Sequence, residues 1–239
     1  AFDGDITIAA GDVDLGHIAA DDGLFVTALT GDISKRADAD LDFAGAQTAT
    51  FSVAGARGAA DETVTLQTFD TLVSVGGAAS FTAASGDVVI TRGLNGGAFK
   101  EVDLQGPVSI AATDAAIEDR NSLQLGQVAV DDKLAIRINS DNAGAAAETL
   151  TQTATQTITV GGDLALITGF GATDRSDVTL ANAGNSFTNV SALAANLSIR
   201  GGDDFAILNT ELSGGLTIGA AGAQHGGGLI LQDVRLGGD

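Results

Sequence analysis

The sequence predicts an all-β fold built as a parallel β-solenoid, and three observations predict it. Residues 12–26, DVDLGHIAADDGLFV, return without a gap at residues 122–136 as SLQLGQVAVDDKLAI, which places Leu15 and Leu125 110 residues apart. Apolar–X–apolar triplets recur from one end of the chain to the other. Gly-Asp pairs stand in front of apolar residues at five places. A repeat of this kind bears on the architecture before any motif bears on chemistry.

The triplets define the strands. They begin as Ile6-Thr7-Ile8, Val13-Asp14-Leu15, Leu41-Asp42-Phe43, Phe51-Ser52-Val53 and Val64-Thr65-Leu66. They continue through Val102-Asp103-Leu104, Val108-Ser109-Ile110, Ile136-Arg137-Ile138 and Leu164-Ala165-Leu166 to Leu216-Thr217-Ile218 and Val234-Arg235-Leu236. Period two with β-branched residues reads as strands with one dry and one wet face. Gly, Asp, Asn or Ser stands between nearly all of them, so the strands are short. Helical periodicity is sustained nowhere, and Ala143 to Ala147 reads as a small-residue loop.

The corners follow their own rule. Gly-Asp leads into an apolar residue at Gly4-Asp5-Ile6, Gly11-Asp12-Val13, Gly31-Asp32-Ile33, Gly86-Asp87-Val88 and Gly162-Asp163-Leu164. The expectation is a glycine with positive φ followed by an aspartate bonded to the backbone two residues on. Asn121, Asn182, Asn185, Asn189, Asn196 and Asn209 occupy similar places and tolerate the same geometry. The single proline, Pro107, stands ahead of Val108 to Ile110, where a missing N–H does least harm.

The spacings point to a period. A looser third copy covers residues 204–218, with Leu208 83 residues after Leu125, and Phe99 to Val102 matches Phe187 to Val190 at an interval of 88. The intervals 110, 88 and 83 approach five, four and four multiples of a unit of about 21–22 residues, within the range of solenoid repeats. Some 10–11 coils follow, and at ~4.8 Å per coil the body is roughly 50 Å long. One coil cannot bury enough surface to hold itself, so each needs neighbours on both sides. Immunoglobulin-like sandwiches would account for 110 but not for 88 or 83, and the chain lacks their Trp and Tyr. A membrane barrel needs strands of about ten residues and aromatic girdles, also missing.

Composition limits the partners. The net charge is −20, from 31 acidic and 11 basic residues, which speaks against nucleic acid and anionic membranes. At 44% apolar the chain can bury a core, so disorder is not expected despite its few aromatics. No apolar run approaches the roughly 20 residues of a spanning helix. No residue is Cys or Met. The first fits a protein that crosses a membrane unfolded, and the second suggests a piece of something longer. The expectation is one solenoid domain or segment over residues 1–239, without obvious end caps, whose ends meet further coils or other copies of the chain.

Residues 178–190, VTLANAGNSFTNV, with the following Leu197-Ser198-Ile199 and with Gly86-Asp87-Val88, resemble the repeat region of filamentous-haemagglutinin-like large exoproteins. The "L-LG" half of that repeat is matched by residues 12–26 and 121–136. The resemblance covers nearly the whole chain as a style of repeat. It implies a right-handed parallel β-helix, secretion through an outer-membrane partner, and work in adhesion, biofilm or contact-dependent competition. The Asn-Pro motifs of the secretion domain are missing, as is any Arg-Gly-Asp. It therefore implies a shaft segment of a secreted or cell-surface protein, with host-surface or matrix ligands as possible partners.

Candidate chemistry is sparse. His17 and His225 stand far apart and read as surface turn residues rather than a catalytic pair. Asp21-Asp22, Asp131-Asp132 and Asp203-Asp204 read as turns; a Ca²⁺ site needs 6–8 oxygens, and Gly201-Gly202-Asp203-Asp204 lacks the glycine of the calcium-binding nonapeptide. Asp103 and Arg137 read as outward charges on a solvated face. No catalytic, cofactor or metal residue is assigned. The function expected is a non-catalytic structural or adhesive rod, with a self-assembling filament subunit and a polysaccharide-degrading β-helix enzyme as the alternatives.

Overall fold

A computed structural model describes residues 5–19, 22–43, 48–53, 62–66, 72–91, 102–138, 148–169, 174–219 and 227–237. Every regular element among them is a β-strand, and the strands pair in parallel in a solenoid-like stack. By packing, the chain divides into two units, Ala1–Asp119 and Arg120–Asp239. Phe99 to Glu101, Ala143 to Ala147, Gly4, Asp21 and His225 lie outside the described residues.

The first unit opens with β1 (Ile6–Ala10), β2 (Val13–Leu15), β3 (Ile18–Ala19), β4 (Leu24–Ala28), β5 (Ile33–Lys35) and β6 (Leu41–Phe43). It continues with β7 (Thr48–Val53), β8 (Val64–Thr65), β9 (Val73–Val75), β10 (Ala78–Ile90), β11 (Val102–Leu104) and β12 (Pro107–Glu118). They stack as three ladders. The first runs β1, β4, β7, β10, β12. The second runs β2, β5, β8 and then the later halves of β10 and β12. The third runs β3, β6, β9, β11. Pro107 is the first residue of β12, where the ladder asks least of its nitrogen.

The second unit holds β13 (Leu123–Val130), β14 (Leu134–Ile138), β15 (Thr149–Gln152), β16 (Ile158–Thr168) and β17 (Asp177–Leu180). After them come β18 (Ser186–Ala194), β19 (Leu197–Ile199), β20 (Phe205–Leu212), β21 (Leu216–Ile218) and β22 (Leu229–Leu236). One ladder runs β13, β15, β17, β19, β21. A second begins at the later half of β13 and passes through β16 to β18. A third begins at β14 and uses the later halves of β16, β18, β20 and β22.

The 110-residue repeat is structural. Leu15 starts a succession over β2, β3 and β4, and Leu125 starts the matching succession over β13 and β14. The third copy is out of phase: Leu208 lies in β20, opposite Gln232, at a different side of the stack from the Leu125 strand's ladder. The uniform period also gives way. Paired residues are 18 apart at Ile6↔Leu24, 30 at Ala49↔Ala79, 32 at Leu41↔Val73 and 19 at Val178↔Leu197. Ladder register constrains the strands alone, and lengthening a corner costs little loop entropy. Some strands are also longer than triplets, because β10, β12 and β16 run through a corner without breaking.

The interior is dry and ordered by row. Val13, Leu15, Leu24, Val26, Ile33 and Leu41 are all at most 6% exposed. Phe51 and Phe81 occupy paired positions on β7 and β10 and stack with centroids 5.4 Å apart and planes 10° from parallel. In-register stacking makes each aromatic ring the wall of the next, which is the arrangement a parallel ladder provides without further design. Phe81→Ala is expected to destabilise the chain by about 4 kcal/mol in urea unfolding, because the ring is fully enclosed and its neighbours cannot collapse into the space.

Candidate functional site

Most of the side-chain chemistry of this molecule lies at the corners. Asp12, just before β2, accepts the N–H of Asp32 at 3.2 Å, while the N–H of Val13 donates to the carbonyl of the same Asp32 at 2.9 Å. The peptide that enters one coil is thus gripped from both sides by the coil before it. Asp32 repeats the grip on Thr63, with its oxygen 2.6 Å from the Thr63 N–H and Ile33 N–H donating back at 2.9 Å. Asp5 holds Gly23, Asp40 holds Leu72, Asn196 holds Gly215 and Asp204 holds Gly228 in the same way. Ser122 supplies the oxygen to Thr149. The direction of the side-chain bond is constant in these corners: the earlier coil's side chain accepts and the later coil's N–H donates.

This clasp replaces the expected corner. Asp5, Asp12 and Asp32 bond a peptide of the next coil rather than the backbone two residues on, and Asp163 accepts from the Asn189 side chain. Gly11, Gly31, Gly86 and Gly162 are not at positive φ; among the described glycines that conformation belongs to Gly169 and Gly219. Three of these four, Gly31, Gly86 and Gly162, are instead places of close approach. A Cβ at Gly31 would collide with the Asp12 carboxylate, and one at Gly86 with the carbonyl oxygen of Glu62. Of the asparagines, Asn209 takes the left-handed conformation at φ 47°, and Asp233 repeats it at φ 53° one coil later in the same register.

His17 is exposed and precedes β3, as a turn residue should, yet it too is a clasp: its Nδ1 accepts the Asp40 N–H at 3.0 Å. Asp131, Asp132, Asp203 and Asp204 lie in bends between strands. Among the described residues no group of three His, Asp or Glu could hold a metal ion. Asp103 is not solvated: it is 8% exposed, opposite the 3% exposed Ser74, and accepts from Gln105 Nε2 at 3.1 Å. Arg137 is half-buried on β14.

Two buried polar groups escape sequence reasoning. Lys35 occupies an inward place on β5, opposite Leu15, where the alternation calls for an apolar residue. Its Nζ donates to the carbonyls of Ala39 at 2.7 Å and Arg36 at 3.0 Å, bracing the turn that leads to β6 from within. Burial pushes its pKa below the ordinary lysine value, with Asp40 and Asp38 opposing. Asn185, 1% exposed, forms a reciprocal amide pair with Gln152 at 2.6 and 2.9 Å, and its oxygen also accepts the buried Ile158 N–H at 2.9 Å.

The second unit carries a shallow trough of about 380 Å³ on the outer face of the β14–β16–β18 ladder. Its floor is a column of small residues in register, Ala135, Ala165 and Ser191. Lys133, Asp163, Asn189 and Asn209 line one side, and Asn189 Nδ2 donates to Asp163 Oδ1 at 2.9 Å. Elsewhere on the unit Arg175, its side chain 7% exposed, donates to Glu211 Oε1 at 2.7 Å. That hydrogen bond and the guanidinium charge hold the Glu211 carboxyl below the usual carboxylate range.

The two kinds of polar contact differ in their expected cost. Asn185→Leu should destabilise by about 3 kcal/mol in urea unfolding, since it strands the buried Ile158 N–H and the Gln152 amide. Asp32→Ala should cost about 1 kcal/mol, since water reaches the exposed corner in its place. Lys35 makes stability depend on alkaline pH. The fold releases its proton below 10.5 while the unfolded chain still holds one, so stability rises with pH through that window. Comparing urea midpoints between about pH 8 and pH 10, Lys35→Met is expected to remove that part of the rise; identical slopes in both proteins would exclude this origin.

Comparison with protein-family models, with curated proteins and with solved structures finds no match for this chain.

Proposed function

We propose that the chain is a segment of a right-handed parallel β-helix serving as a non-catalytic structural or adhesive rod of a secreted or cell-surface exoprotein. The observation that carries this reading is the clasp, repeated from coil to coil with one polarity in both units. It devotes the polar side chains at these corners to holding the stack, which is what a spacer requires. One outward register column of the first ladder is uncharged, with Thr7, Phe25, Thr50, Ser80 and Ser109 in succession and Phe25 its one large member. The resemblance of residues 178–190 to filamentous-haemagglutinin-like repeats points the same way. In this reading the trough, with its Lys133, Asp163, Asn189 and Asn209, is the face offered to a surface or matrix ligand.

A second reading, a subunit that stacks end to end into filaments, is favoured by β22. That strand pairs with β20, and Leu229, Ile230, Leu231 and Leu236 are 37–62% exposed along it. Leu229, Leu231 and Leu236 continue the inward rows of Phe205, Ile207 and Leu212, and further coils or a second copy would cover them. An unpaired apolar edge of this kind is a template for another strand. Negative-stain electron microscopy with light scattering on the purified chain separates these cases. Single straight rods whose mass is unchanged by dilution support the rod; filaments that shorten on dilution support stacking; compact globules overturn both.

A further inference from the structure

One clasp differs from the others in its chemistry. At Asp5, Asp12, Asp32, Asp40, Asn196 and Asp204 the acceptor is a carboxylate or amide oxygen. Such an oxygen retains a lone pair for the neighbouring N–H whether or not the group carries a proton. Before β3 the acceptor is Nδ1 of His17. An imidazole nitrogen accepts only while it is unprotonated, and the imidazolium donates from both nitrogens. We infer that the β3–β6 junction of the first unit is an acid-released catch: proton uptake by His17 frees the Asp40 N–H and loosens the third ladder ahead of the other two.

The surroundings favour release. His17 is exposed, so the proton has open access. Strand β3 is two residues long and pairs with β6 at Ile18 and Ala19, with Ile18 only half-buried and its N–H on the Asp40 carbonyl at 3.1 Å, so His17 grips the other side of the peptide that Ile18 holds. The charged groups on the β6 side are Asp40 and Asp42. In the turn before β6 they are Lys35, on its two carbonyls, and Arg36, paired with Asp38 at 3.3 Å. On the same coil as His17, Asp12 holds the Asp32 N–H and Asp14 accepts from Ser34 Oγ at 3.4 Å. A ring protonated at Nδ1 is a donor there and repels the backbone N–H that the neutral ring accepts.

The molecule contains its own control. The Asp32 N–H sits in the same kind of clasp between the same two coils, held by Asp12 instead of a histidine. Native-state hydrogen exchange of the full chain, read by NMR between about pH 7.5 and about pH 5.5, spans the range in which imidazoles commonly change charge. After correction for intrinsic exchange, the protection of the Asp40 amide should fall about tenfold while that of Asp32 holds. His17→Asn, which restores an amide oxygen of the type found at Asn196, should keep Asp40 protected at both pH values. An Asp40 protection that does not change, a parallel fall at Asp32, or a fall that persists in His17→Asn would overturn the catch.

Discussion

A parallel stack has one weak place, the corner, where the chain leaves one ladder and its backbone groups lose their partners. Buried or half-buried N–H groups cannot be left unserved without cost. Here the residue before a strand repairs the loss in the next coil. Asp5, Asp12, Asp32, Asp40 and Asp204 each hold a peptide by its N–H while the following backbone N–H takes its carbonyl. A short side chain with few rotamers does this at little entropic cost. Part of the chain's acidity is therefore hydrogen bonding between coils.

The clasp also explains what surrounds it. Gly31 is a glycine because the Asp12 carboxylate lies where its Cβ would be. The unequal intervals between coils are permitted because the strand entry, not the length of the preceding loop, sets the register. Where a turn must fold over the stack, a different device appears. Lys35 reaches from an inward row to two turn carbonyls, and Asn185 and Gln152 satisfy one another inside a corner. Each of these polar groups is satisfied, which is the condition for tolerating it in the interior.

Strand identity was legible from period two, because one face of each ladder is dry: Leu24 and Val26 are enclosed and Phe25 between them is exposed. The match between residues 12–26 and 122–136 was legible for the same reason, since equal positions in a coil face equal environments. The third copy was not separable from a true one. Apolar triplets recur on every side of the stack, and a string match cannot tell which ladder a triplet joins. Asp103 reads as outward and is buried, because alternation reports the direction of a side chain, not what its neighbours place over it.

The sequence alone determined that the chain forms strands with one dry face and that they repeat, because those features depend on local sterics and on one-dimensional pattern. Only the tertiary structure decided what the corners are for. The partner of each Asp, Asn or His is a peptide 18 to 32 residues further on, and its identity depends on loop lengths that no local rule constrains. The trough was decided there too: Ala135, Ala165 and Ser191 are unremarkable in sequence and become a floor only when parallel register sets them in one column.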